Sequence, residues 1–112
     1  SRVVRKVARR IVEDLGFQVL EAEDGVFALE ECKKEMPTCV LLDWNMPNTT
    51  GIEFIKNLRK EPNGKNPKVV FCTTENDMEF IQSALQEGAD EYIMKPFDRE
   101  IIEAKFAQVG LI

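Results

Sequence analysis

An α/β fold, a parallel sheet covered by helices on both faces, is predicted by three observations in this chain. Short apolar runs alternate with segments of helical periodicity along its 112 residues, with no internal repeat. The runs at 39–42, 68–72 and 91–94 are strand-length and draw on Val, Phe, Tyr and Ile. Each leads directly into a polar residue, Asp43, Thr73 or Lys95. Open α/β sheets place their chemistry at the carboxyl ends of parallel strands.

Taken in order, residues 2–15 read as a helix. Val4, Val7, Ala8, Ile11, Val12 and Leu15 recur at three- and four-residue steps with arginines between them, and Gly16 is a natural stop. Phe17 to Glu21 reads as a short strand near a sheet edge, followed by a turn at Glu23-Asp24-Gly25. Val26 to Glu35 is helical and ends before Pro37. The buried strand 39–42 delivers Asp43, and residues 44–50, with Pro47 and two threonines, form a loop. Gly51 opens a helix to about Lys60, with Ile52, Ile55 and Leu58 inward, and 61–67 is a loop by composition. The strand from Lys68 to Cys72 ends on Thr73 and Thr74. Asn76 or Asp77 caps a helix to about Glu87, and Gly88 ends it. Glu91 to Met94 is the last strand, followed by Lys95-Pro96-Phe97. Asp98 caps a final helix to about Val109. The order is strictly alternating but begins with a helix, so one helix lacks a preceding strand.

Composition narrows the function. The length predicts one domain, residues 1–112. No apolar run approaches the roughly 18 residues of a membrane span, so no membrane association is expected. There is no histidine, which excludes imidazole general-base catalysis and His-ligated zinc. Cys32, Cys39 and Cys72 have no C-x-x-C spacing and read as reduced structural thiols of a cytoplasmic protein. Net charge is −5, yet residues 1–14 hold Arg2, Arg5, Lys6, Arg9 and Arg10 against Glu13 and Asp14, leaving the remainder at −8. Such an acidic domain is not expected to bind DNA. The basic segment reads as a solvated helix face.

Asp43, Thr73 and Lys95 each have an ordinary reading alone: a loop cap, a strand-end hydroxyl and a surface lysine. Their joint placement at three parallel strand ends favours chemistry. A carboxylate, a hydroxyl and an ammonium do not make a Ser-His-Asp hydrolase. They suit an acyl-phosphate, with Asp43 as nucleophile and Thr73 and Lys95 on phosphoryl oxygens. Phosphoryl transfer also calls for Mg²⁺, to which Asp43 offers one oxygen and a loop carbonyl near Asn45 another. Trp44, Tyr92 and Phe97 read as packing residues, and Lys95-Pro96 is a candidate cis bond.

The segments Leu42-Asp43-Trp44-Asn45-Met46-Pro47 with Gly51, Phe71-Cys72-Thr73-Thr74-Glu75, Gly88-Ala89-Asp90-Glu91-Tyr92 and Lys95-Pro96-Phe97-Asp98 resemble the receiver domain of two-component response regulators. The stand-alone chemotaxis type, CheY-like, is the nearest form. The likeness runs over essentially the whole chain. It implies a flavodoxin-like, doubly wound parallel sheet in 2-1-3-4-5 order. Asp43 would then be phosphorylated by a histidine kinase, with Mg²⁺ held by Asp43 and the Asn45 carbonyl. Thr73 and Lys95 would bind the phosphoryl group. Tyr92 would turn inward as Thr73 moves, and Asn45 and Glu75 would tune phosphoryl lifetime. A protein partner would dock on the 76–109 face. The implied function is a signalling switch, plausible in chemotaxis or motility, rather than a dedicated enzyme.

The chain departs from the family in one large respect. The family opens with an apolar strand and two adjacent acids that hold Mg²⁺, and Ser1 aligns just after them. The first, central strand is therefore expected to be missing, and the sequence reads as an N-terminal truncation. A chain truly starting at Ser1 is expected to lack Mg²⁺-dependent phosphorylation and to fill the gap with a swapped strand, as in a strand-swapped dimer. Thr50, where the family often has Asp, is a lesser departure. A receiver-like interaction module that does not phosphorylate, and a small phosphatase using Asp43, are the alternatives. The second is disfavoured by Asn45, where such phosphatases carry Asp.

Overall fold

The three apolar runs pair in register as a parallel sheet. In the computed structural model, which describes residues 2–22, 25–43, 51–73 and 78–112, the elements are α1 (Arg2–Asp14), α2 (Gly25–Lys34), β1 (Cys39–Asp43), α3 (Gly51–Lys60), β2 (Lys68–Thr73), α4 (Met78–Gln86), β3 (Glu91–Met94) and α5 (Arg99–Gln108). The strand order is β1-β2-β3, all parallel. Leu41 lies opposite Val70, Asp43 opposite Cys72, and Thr73 opposite Met94.

Strand alternation sends side chains into two separate cores. Leu42, Val69 and Phe71 pack with Phe54, Ile55 and Leu58 of α3, Ile81 and Ala84 of α4, and Cys32 of α2. Val70, Cys72 and Ile93 pack with Ile102 and Phe106 of α5, against Ile11 and Val12 of α1. The helices thus divide between the two faces, the doubly wound arrangement that the alternation of elements predicts. Phe54, Phe71 and Phe106 are essentially fully buried. Each contributes about 1.5–3 kcal/mol of hydrophobic stabilisation. Asp98 caps α5 as expected, its carboxylate accepting from the Ile101 N–H at 3.0 Å.

The strand expected at 17–21 does not form. Residues 17–22 run without helix or ladder, although Phe17 packs edge-on to Phe106 at 5.8 Å. A strand is a pairing, and no strand among the described residues borders this segment. A cleft of 700 Å³ lies here instead, lined by α1, by residues 16–22 and by β1.

What fixes the segment is charge. Glu21 accepts from Arg5 Nε at 2.9 Å, Lys6 Nζ at 2.9 Å and Arg9 Nη1 at 2.6 Å. The hydrogen bonds from Arg9 and then Lys6 hold its carboxyl at about 2, below the usual 4.5. A lowered folded-state value means that the contribution is complete above about 4.5 and is lost as pH falls toward 2. Thermal unfolding across that window should show the wild type losing stability more steeply than Glu21→Gln, which lacks the charge at every pH.

Candidate functional site

The carboxyl ends of the three strands form one edge of the sheet. Asp43 closes β1, with its backbone in register with Cys72. Thr73 closes β2 and is 1% exposed, the one buried polar side chain of the described core. A strand end is normally wet, so a buried hydroxyl there is a feature to explain. Lys95 follows β3 directly, and its N–H donates to the Thr73 carbonyl at 2.9 Å. That bond carries the β2–β3 ladder one step past Met94 and fixes the lysine's backbone beside Thr73. The Lys95-Pro96 bond is cis, and Phe97 packs on the α1–α5 core, both as expected.

The structure thus brings the backbones of Asp43, Thr73 and Lys95 to one edge. Neighbouring strands lie about 4.8 Å apart, with β2 and Thr73 between the ends of β1 and β3. Asn45, Glu75 and Trp44 lie outside the described residues. Tyr92 is half-buried on β3. Its ring lies 6.0 Å from Phe71 between centroids, and Lys105 Nζ of α5 sits 4.8 Å from the ring centre. Lys105 also pairs with Glu91 at 3.3 Å. No local pattern announces this Lys105 contact, because residues 13 apart meet only once α5 is laid on β3.

Thiol chemistry finds no support. Burial pushes the Cys39 thiol up to about 12, and burial also raises Cys32. None of the three cysteines is in a disulfide. Among the described residues no group of three acidic, thiol or imidazole side chains gathers to hold a metal. Mg²⁺ takes an octahedral set of oxygens, and the described residues do not by themselves build one.

Arg59 went unread in the sequence. It donates to the carbonyls of Gly64 at 2.9 Å, Pro67 at 2.8 Å and Gly88 at 2.6 and 3.1 Å, and to Asp90 Oδ2 at 3.2 Å. Asp90 Oδ2 in turn accepts from the Val69 N–H at 2.8 Å. This clamp lies at the amino ends of β2 and β3, away from the site edge.

The chain is a doubly wound parallel domain with an aspartate at one strand end and a buried threonine and a lysine at the next two, the edge where such sheets place their chemistry. The pattern of the response regulator receiver domain matches residues 1–107, and the chain belongs to that family. Chemotaxis protein CheY1 of Helicobacter pylori is 34% identical over 97% of this chain and 90% of its own length. Chemotaxis protein CheY-3 of Vibrio cholerae is 36% identical over 95% of this chain and 82% of its own. The phosphate regulon transcriptional regulatory protein PhoB of Escherichia coli is also 36% identical over 95% of this chain, which spans only 46% of that relative. The solved structure of Vibrio cholerae CheY4 superimposes with a TM-score of 0.91 at 31% identity, over 97% of this chain and 91% of that one. No helix among the described residues is long and apolar enough to cross a membrane.

Proposed function

We propose that this receiver takes a phosphoryl group on Asp43 and thereby changes its affinity for a protein partner. The observation that carries this reading is the shared edge, with a buried Thr73 tied through its carbonyl to the backbone of Lys95. A carboxylate oxygen of Asp43 attacks phosphorus, the bond to the donor's nitrogen or oxygen breaks, and an acyl phosphate results. The donor is the phosphohistidine of a histidine kinase, or a small acyl phosphate. The Thr73 hydroxyl and the Lys95 ammonium bind the phosphoryl oxygens, where charge-assisted hydrogen bonds are strongest. Asn45 and Glu75 are assigned to the lifetime of the acyl phosphate.

Mg²⁺, held by Asp43, the Asn45 carbonyl, water and further acids, would supply charge neutralisation when bound. The receiver domain of Pseudomonas aeruginosa PA1611, 22% identical, was solved with magnesium in its active site cleft. The readout is assigned to Tyr92 and to the face of α4, β3 and α5, where Met78, Leu85 and Ile101 expose apolar surface. Chemotaxis is the favoured pathway because chemotaxis proteins of Helicobacter pylori and Vibrio cholerae are 34% and 36% identical to this chain. The three free thiols suit a reducing, cytoplasmic setting.

A second reading is a receiver-like module that binds partners without phosphorylation. Acetyl phosphate with Mg²⁺ separates the two. The switch reading expects a mass gain of one phosphoryl group and a change in Tyr92 or Trp44 fluorescence. An unchanged mass at saturating donor and metal selects the module.

A further inference from the structure

Beyond β3 the sheet has no further strand among the described residues. Lys95 donates its N–H to the Thr73 carbonyl at 2.9 Å. By the two-residue alternation of a parallel ladder, Ile93 and Glu91 also direct their backbone groups to β2, and Tyr92 directs its own to the open edge. An edge N–H is left to water or covered by a side chain. Here it is covered: Tyr92 donates it to Oε1 of Glu91 at 3.0 Å.

The same oxygen lies 3.3 Å from Nζ of Lys105 on α5. That ammonium in turn sits 4.8 Å from the centre of the Tyr92 ring. The three contacts close a circuit that begins and ends on Tyr92, at its backbone and at its ring. Glu91 alternates with Tyr92, so their side chains leave opposite faces of the sheet. Tyr92 packs on the core of α3 and α4, whereas Ile93, on the face of Glu91, packs under α5. Lys105 therefore reaches from one layer, round the edge of β3, to the other.

This is more than a surface ion pair. Arg99 and Glu103 form one of those on the same helix, 52% and 42% exposed, and such pairs contribute little. Lys105 and Glu91 are 24% and 22% exposed. An ammonium partly withdrawn from water is attracted to an aromatic face. We propose that Lys105, anchored by Glu91, is a positioning residue that holds the Tyr92 ring in its resting orientation. A contact made in one orientation and lost in the other biases the equilibrium between them by its full strength. The brace therefore sets a threshold that any event reorienting the ring must exceed. That regulatory meaning rests on Tyr92 being the readout, while the brace itself belongs to the unphosphorylated protein.

The test follows the ring carbons of protein labelled with ¹³C-tyrosine by NMR. Tyr92 is the sole tyrosine, so every ring signal is its own. Lys105→Met keeps an unbranched stem and removes the charge. It is expected to move the balance of ring orientations about two- to fivefold with no phosphoryl donor present. Lys105→Arg, which lays a cation on the same face, should restore the wild-type signals. Glu91→Gln, which unties the ammonium, should move them in the same direction as Lys105→Met. Thermal unfolding of each variant separates ring from fold. A merely structural pair would lower the midpoint and leave the ring signals in place, and that result overturns the proposal. So would Lys105→Arg signals that coincide with those of Lys105→Met. Acetyl phosphate with Mg²⁺ then tests the readout separately. Wild-type ring signals that stay fixed despite a mass gain of one phosphoryl group would refute Tyr92 as the readout, with the brace still decided by the unphosphorylated variants.

Discussion

Asp43→Asn is expected to abolish phosphoryl uptake from acetyl phosphate, with no detectable mass gain under conditions that saturate the wild type. The substitution keeps shape and removes the anionic oxygen that attacks phosphorus. An amide also presents a weaker ligand to any divalent ion. The fold should tolerate it. The backbone of residue 43 pairs with Cys72 whatever the side chain, and a substitution of this kind at a strand end typically stays within about 1 kcal/mol. Mass spectrometry and thermal unfolding on the same sample separate the two effects. Retention of the mass gain in Asp43→Asn would place the acceptor elsewhere and refute the assignment.

Arg59→Ala is expected to cost about 2–4 kcal/mol of stability, read as a lowered midpoint in urea with little change in slope. One guanidinium satisfies the carbonyls of Gly64, Pro67 and Gly88 and pairs with Asp90. Removing it leaves carbonyls unpaired at the base of the sheet and loosens the Asp90 carboxylate that caps the Val69 N–H. Its side chain is 15% exposed, so water replaces these bonds poorly. Arg59→Lys should recover only part of the loss, because an ammonium cannot reach several fixed carbonyls as a planar fork does. Full stability in Arg59→Ala would show the clamp to be incidental.

These two residues mark what sequence does and does not reveal. The strand-end placement of Asp43, Thr73 and Lys95 was legible because each follows an apolar run, and parallel topology brings such ends to one edge. Arg59 was not, because its acceptors are backbone carbonyls, one of them 29 residues away, and carbonyls leave no mark in a side-chain pattern. The helix boundaries of α1 and α5 were readable from periodicity and from the caps at Gly16 and Asp98. The segment at 17–21 misled for a different reason. Its alternation of Phe17 and Val19 describes a face that fits a sheet, but a strand exists only where a neighbour supplies donors and acceptors. Ion pairing to Arg5, Lys6 and Arg9 fixes that segment instead, and nothing in the local pattern of Glu21 announces three cations from α1.

The Arg59 clamp has a mechanical corollary. It rivets the beginnings of β2 and β3 to the end of α3, while Thr73 and Lys95 sit at the far ends of the same strands. Each strand is then a lever pivoted at its base. The six residues of β2 span about 20 Å, so a tilt of roughly 3° moves the Thr73 end by about 1 Å and leaves the base in place. That is the scale on which a hydroxyl gains or loses a hydrogen bond, and the sheet can deliver it without breaking a rung of its ladder.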